Sequence, residues 1–368
     1  MKKTIALLLA LVISTSMMVG CDDGENSAVT PKDSSSQSDS NGDSSSDGNN
    51  SGTDDSSDPN NKKPQVDTKG EYQNDGVMIT GTGNDVRAIE LYGGSFEKGS
   101  KYAETLNTYK EKLGDKVNVY NMCIPTAFSY YLPTKYESEF ASQYDNIRNI
   151  QSQLKNVIDV DIYNTLAEHS DEYIYFRTDH HWQPLGAYYA AGVFAERASV
   201  NQFPDLSTYT KVDYEGFCGT LEGFASSNEL AQNPDLFTYY KPANLERLKT
   251  TYYDTHFSNP VESILFFDDF EMKNAYSTFL GDDREIAKID TDNQNSRTLV
   301  IFKDSFGNAL VPFLTQSFEH IYVCDIRYFD INAIEFCQNV GATDVLFACC
   351  MFTSTGDNSE LVANLMNQ

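Results

Sequence analysis

Thr298-Leu299-Val300-Ile301-Phe302-Lys303-Asp304-Ser305-Phe306-Gly307-Asn308 decides how this chain folds. The run from Thr298 to Phe302 is unbroken, apolar and rich in β-branched side chains, as suits a strand covered on both faces. Ala309 to Gln316 then reads as a helix. The alternation continues downstream: Ile321 to Cys324 as a strand, Ala333 to Asn339 as a helix, Val345 to Met351 as a third strand. Short apolar strands separated by helices predict an α/β domain with a doubly wound, mainly parallel sheet. Upstream, Val117 to Met122 reads as a further strand, after the Lys/Glu/Leu-rich helical stretch Tyr102 to Leu113. Thr210 to about Ser296 shows no such alternation and leaves room for an insertion or extra strands.

Ligands of such sheets bind beyond the carboxyl ends of the strands, which is where Lys303-Asp304-Ser305 falls. A serine at a strand-to-helix turn lies beside helix N–H groups that can hold a developing oxyanion. The bland alternative is that Asp304 or Ser305 only caps the helix. A second constellation is Thr178-Asp179-His180-His181-Trp182, with two of the five histidines and the sole tryptophan. A serine nucleophile needs an imidazole base oriented by a carboxylate. In an extended segment Asp179 and His181 would share one face, with His180 on the other. Neighbouring histidines can also bind metal or serve structure, but no cysteine or carboxylate cluster accompanies them, and no metal or other cofactor is expected. Tyr92-Gly93-Gly94-Ser95-Phe96 resembles a second nucleophile turn but lacks an acid before the serine, which favours a structural turn.

Asp179-His180-His181-Trp182 resembles the signature of the DHHW protein family. The flanking Tyr175-Phe176-Arg177 and Pro184-Leu185-Gly186-Ala187 fit it, as do Lys303-Asp304-Ser305-Phe306, Pro312-Phe313-Leu314 and Asp325-Ile326-Arg327-Tyr328. The resemblance extends from about residue 72 onward and links the chain to SGNH-like proteins of alginate O-acetylation. It implies an SGNH-like fold with a circularly permuted motif order, because Asp and His precede Ser. It also implies roles: Asp179 orients, His181 is the base and Ser305 attacks. Arg327 and Thr353, at the ends of the next and last strands, fall where oxyanion or substrate donors would be needed, and Trp182 is a further binding candidate. Thr353 stands where SGNH enzymes usually carry Asn.

The N-terminal part concerns targeting. Lys2 and Lys3 precede the apolar run Ile5 to Ile13, and Met18-Val19-Gly20-Cys21 resembles a lipobox. The run is short of the roughly 20 residues a spanning helix needs. Residues 1–21 are therefore expected to be a lipoprotein signal with lipid on Cys21, which would place the protein on the outer face of the cytoplasmic membrane. Residues 22–70 are rich in Ser, Asp, Asn and Gly and are expected to form a disordered tether. Residues 71–368 would form the catalytic domain. The formal net charge of -27 argues against a nucleic-acid partner, since phosphate binding depends on Lys and Arg. Of the 7 cysteines, Cys324, Cys349 and Cys350 lie in apolar runs and read as buried free thiols.

The resemblance implies a serine-dependent O-acetyltransferase acting on a cell-envelope polysaccharide, as family relatives often do beside a membrane-bound O-acyltransferase. An acetylesterase would use the same residues. An inactive module binding glycan or a partner protein is the alternative of another class.

Overall fold

The computed structural model describes residues 60–72, 76–200 and 202–368. The signal segment with Cys21 and most of the expected tether lie outside the described residues.

Chain order begins with β1 (Gly70–Tyr72), β2 (Val77–Thr80) and β3 (Arg87–Glu90), then α1 (Phe96–Leu113), β4 (Asn118–Ile124), α2 (Phe128–Tyr131), α3 (Gln143–Gln153), β5 (Ile158–Asp159), α4 (Tyr163–Glu168) and α5 (Pro184–Arg197). The middle contains β6 (Thr210–Phe217), α6 (Thr220–Ala225), α7 (Asn228–Gln232), β7 (Asp235–Lys241), β8 (Lys249–Tyr253), β9 (Val261–Ser263) and β10 (Ile286–Asp290). The chain closes with β11 (Thr298–Lys303), α8 (Phe306–Leu314), β12 (His320–Asp325), α9 (Ala333–Asn339), β13 (Asp344–Cys350), α10 (Met351–Thr355) and α11 (Ser359–Asn364).

The main sheet has eight strands in the order β5-β4-β13-β11-β12-β10-β8-β9. From β5 to β12 every pairing is parallel. β10, β8 and β9 then extend the sheet with antiparallel pairs. These three strands, with the β6–β7 hairpin, are what the unpatterned middle region supplies. The continuous apolar runs of β11 and β13 follow from their central places: every residue of both strands is buried. α8 is buried on all sides, which explains why Phe306 to Leu314 shows no polar face.

A smaller core lies beside the main one. Val77, Val86 and Ala88 from the N-terminal sheet meet Leu221, Ala225 and Leu230 of α6 and α7. This contact fixes the N-terminal end of α6, which matters for the site. Ser95 caps α1 through a hydrogen bond from Lys98 N–H at 3.4 Å, so the second serine turn is structural. Among the described residues Cys123, Cys218, Cys324, Cys337 and Cys349 carry free thiols, and Cys218 alone of these is not buried.

One boundary differs from the expectation. Residues 60–69 are not a free tether but lie along the domain. Val66 and Thr134 exchange hydrogen bonds at 3.0 Å, Asn164 bonds Lys62 N–H and Asn60 C=O, and Lys63 pairs with Glu137. Polar composition forbids burial of much apolar area, but it does not stop backbone groups from finding partners on a folded surface.

Candidate active site

Ser305 directly follows the Asp304 that leaves β11, at the threshold of α8. Its backbone is αR and its side chain makes no capping bond, so the hydroxyl is available. Asp304 does the capping. Its Oδ1 accepts from Phe306 N–H at 3.1 Å, and its Oδ2 accepts from Cys350 N–H at 2.7 Å and the Thr353 hydroxyl at 2.8 Å. The nucleophile turn is thereby tied to the tip of β13. Gly307 is needed for the tight turn, because a Cβ there would meet Lys303 Cβ at 2.5 Å.

The base comes from a loop, not from an extended segment. Residues 177–181 form a bend closed by the antiparallel bridge between Tyr175 and Trp182. Buried Asp235 stabilises the bend by accepting from Arg177 N–H, Thr178 N–H and the Thr178 hydroxyl. Inside it, Asp179 Oδ1 accepts from both the backbone N–H of His181 at 3.0 Å and its ring Nδ1 at 2.7 Å. This is the habit of Asp at turns, bonding the backbone two residues on. The expected shared face of Asp179 and His181 is thus replaced by a turn that joins them directly. The same bend brings His180 back: its ring centroid lies 3.9 Å from that of His181 instead of on an opposite face.

Asp179 Oδ2 accepts from the Thr220 N–H at 2.9 Å and the Thr220 hydroxyl at 3.2 Å. The approach depends on Gly219, where a Cβ would lie 2.3 Å from Asp179 Oδ2. Burial pushes the Asp179 carboxyl up, but His180, His181 and the donors outweigh it and hold it well below the usual carboxylate range. An ionised carboxylate only accepts, so His181 carries its proton on Nδ1, leaving Nε2 as acceptor. His181 Nε2 lies 2.7 Å from Ser305 Oγ. Ser305, His181 and Asp179 therefore form one hydrogen-bonded relay, of the kind required for nucleophilic attack by a serine. The Tyr276 ring stacks on His181 at 3.9 Å, and its hydroxyl donates to Ser305 C=O at 3.2 Å.

The other expected residues take supporting places. Trp182 is fully buried and donates Nε1–H to Phe306 C=O at 3.0 Å, so it braces the nucleophile helix and does not line a binding surface. Thr353 is also buried, within α10 beyond the strand end, and its hydroxyl is committed to Asp304. Arg327 pairs with Asp325 through Nε and Nη2 at 2.8 and 2.7 Å and with Asp283 at 2.8 Å. Lys303, wholly buried, bonds the equally buried Asp325 at 2.6 Å. Burial raises the Asp283 carboxyl, yet Lys303 and Arg327 more than offset that and keep it below the usual range. Arg327 is thus one of four members of an ion-pair cluster with Lys303, Asp283 and Asp325 beside the nucleophile turn, while 24% of its side chain stays exposed.

Thr220, Asp235, Tyr276 and Asp283 escaped the sequence reading. Only Gly219-Thr220, a small residue before a helix, carries a local signal; the others reach the site through long-range folding. Asp179, His180 and His181 also bring possible metal-ligand atoms within 4.8 Å of one another. Both ring nitrogens of His181 and both oxygens of Asp179 are, however, engaged in the relay.

A serine relay at the carboxyl ends of a doubly wound α/β sheet, with the nucleophile last in the chain, defines an SGNH-like protein of permuted order. The chain belongs to the DHHW protein family, whose model matches residues 32–324. A crystal structure of a DHHW family protein from Eubacterium siraeum is 48% identical, with a TM-score of 0.76, over 81% of this chain and 98% of that one. Bacillus cereus PatB1, solved alone and with a sulfonyl adduct, shares the fold at 19% identity, with TM-scores of 0.62 and 0.63, over 80% of this chain and 99% of the other. No curated protein matches the chain.

Proposed function

We propose that this protein is a serine-dependent O-acyltransferase, most simply an acetyltransferase, that modifies a cell-envelope polysaccharide. The observation that carries this reading is the unbroken relay from Asp179 through His181 to Ser305 Oγ, each ring nitrogen at 2.7 Å from its partner. An inert glycan-binding module would have no need to hold a half-buried hydroxyl against a buried, oriented imidazole. Family membership and the PatB1-like fold agree with the reading.

In the first half-reaction His181 Nε2 takes the Ser305 proton as Oγ attacks the acyl carbonyl. The oxyanion develops beside the N-terminus of α8, where the helix dipole favours negative charge. Collapse expels the donor's leaving group, which takes the proton from His181. In the second half-reaction a sugar hydroxyl attacks the acyl-enzyme, gives its proton to His181, and Ser305 leaves and is reprotonated. Water in place of the sugar would make the same site an esterase. Asp179 keeps the proton on Nδ1 throughout and stabilises the imidazolium. Lipid on Cys21 would hold the site on the outer face of the cytoplasmic membrane, within reach of a membrane-bound O-acyltransferase supplying acetyl groups.

The test is covalent labelling. The full chain, incubated with p-nitrophenyl acetate, should gain one acetyl group on the peptide containing Ser305, and Ser305→Ala should gain none. Labelling of folded Ser305→Ala at the wild-type rate would refute the proposal.

A further inference from the structure

His180 is not part of the relay, yet it is placed with care. Its Nδ1 lies 2.7 Å from the Thr220 hydroxyl, and that hydroxyl donates to Asp179 Oδ2 at 3.2 Å. A hydroxyl has one proton. With that proton on Asp179, the Thr220 oxygen must accept from His180, which fixes the His180 proton on Nδ1. Nε2 is then a bare acceptor, and among the described residues it has no hydrogen-bond partner. The side chain is also the open member of the group: it is 27% exposed, against 8% for His181 and 4% for Asp179. The site thus presents two unprotonated Nε2 atoms on neighbouring rings with centroids 3.9 Å apart, one facing Ser305 and the other still unengaged.

We propose that His180 binds the acyl acceptor: its Nε2 accepts a hydrogen bond from a second hydroxyl, next to the one that attacks, so the site selects a polyol bearing adjacent hydroxyls over water or a simple alcohol. This rests on the acyl-enzyme reading above and narrows its acceptor to vicinal diols, as sugars are. The attacking hydroxyl gives its proton to His181 Nε2. Its neighbour keeps its own proton and only shares it with His180, so no further proton acceptor is needed. Water has a single oxygen and cannot occupy both positions. Thr220 acts as a positioning residue for the selectivity, because it sets the tautomer of His180 while it holds Asp179.

The experiment is an internal competition. The full chain is acylated with p-nitrophenyl acetate in a mixture of equal ethanol and ethylene glycol, and ethyl acetate and hydroxyethyl acetate are quantified from the same tube. Both products come from one acyl-enzyme, so their ratio does not depend on how fast Ser305 is acylated. Wild type should favour the diol about five- to tenfold, the worth of one hydrogen bond. His180→Phe should bring the ratio towards the statistical value, and His180→Gln, which retains an acceptor oxygen, should recover part of it. An equal ratio in wild type and His180→Phe, or no diol preference in wild type, overturns the inference. A wild type that releases no p-nitrophenolate above the uncatalysed rate and gains no acetyl group on Ser305 sinks the acyl-enzyme reading instead, which is a separate result. Should His180→Phe fail to fold, imidazole nitrogen-15 shifts of wild type decide the matter: the proton is expected on His180 Nδ1, and a proton on Nε2 overturns the inference.

Discussion

The indole Nε1–H of Trp182 donates to the backbone carbonyl of Phe306 at 3.0 Å, joining the loop that carries the base to the helix that follows the nucleophile. The two groups are separated by 124 residues of chain. Ser305 and His181 keep their 2.7 Å contact only while these parts stay in register. Trp182→Phe keeps most of the packing but takes one donor from a carbonyl that the Tyr276 hydroxyl still reaches at 3.4 Å, at a cost of about 0.5–1.5 kcal/mol. The expected outcome is a lower urea midpoint and a fall in Ser305 acylation of roughly tenfold or more, since small misplacements of reacting groups are costly. Unfolding curves and acylation rates measured on the same samples check it, and wild-type values for both would sink the role assigned to Trp182.

Ser305, His181 and Asp179 should behave as one unit. Ser305→Ala and His181→Ala are each expected to lower acylation by roughly 10³-fold or more. Asp179→Asn should do comparable or milder damage by disturbing the His181 tautomer. Combining any two should add little to the worse single change, because the second residue acts only through the first. Rates for three single and three double variants, each shown to be folded by circular dichroism, provide the check. Multiplicative losses would mean that the three residues act separately.

Much of this was legible in the sequence, for identifiable reasons. β11, β12 and β13 are central strands buried on both faces, and such strands write themselves as apolar runs. Ser305 stood out because a strand and a helix meet there. The bend at 177–181 was read as extended because its cause lies elsewhere. Asp235, more than fifty residues on, accepts from the Arg177 and Thr178 amides at about 3 Å, and a local pattern cannot record so distant a partner. Trp182 and Thr353 looked like binding residues for a related reason. Closeness to a strand end is visible in sequence, whereas complete burial depends on what packs above. The β8–β9–β10 extension stayed hidden because its strands are short and partly exposed and lack the continuous apolar runs of the central strands.

The N-terminal assignment leads to a prediction on either side of one position. If Cys21 carries the proposed lipid, Cys21→Ser should release the protein from membranes into the soluble fraction, because it removes the site of acyl attachment. Limited proteolysis of the soluble variant should then trim the chain to about residue 60 and stop, since Val66 and Thr134 exchange backbone and side-chain hydrogen bonds there. Fractionation and mass spectrometry of the trimmed product are the measurements. Firm membrane retention of Cys21→Ser would show another anchor, and cleavage running through to Tyr72 would contradict the docking of residues 60–69.

Acid should weaken this fold in a way that can be traced to two carboxylates. Asp179 is buried, which by itself raises its proton affinity, but His180, His181 and hydrogen bonds outweigh that and lower it. Asp283 is lowered in the same sense, with burial outweighed by Lys303 and Arg327. In the unfolded chain both return to about 3.9. The sign follows. Above that value both states are ionised and the full stabilisation is present. As pH falls below about 4, the unfolded chain takes up protons first and binds more of them than the folded one, so stability declines. The decline continues until pH passes the folded values, where the contribution is gone. Asp179→Asn and Asp283→Asn should each be less stable than wild type at pH 7 and should each show a shallower loss between roughly pH 4 and pH 2. The double variant should be shallower still, because the strongest partners of the two carboxylates differ, His180 and His181 for one and Lys303 and Arg327 for the other. Urea midpoints across that range supply the comparison. A variant whose curve stays parallel to that of wild type, offset by a constant amount, would show that its carboxylate is not among the groups linking stability to protons.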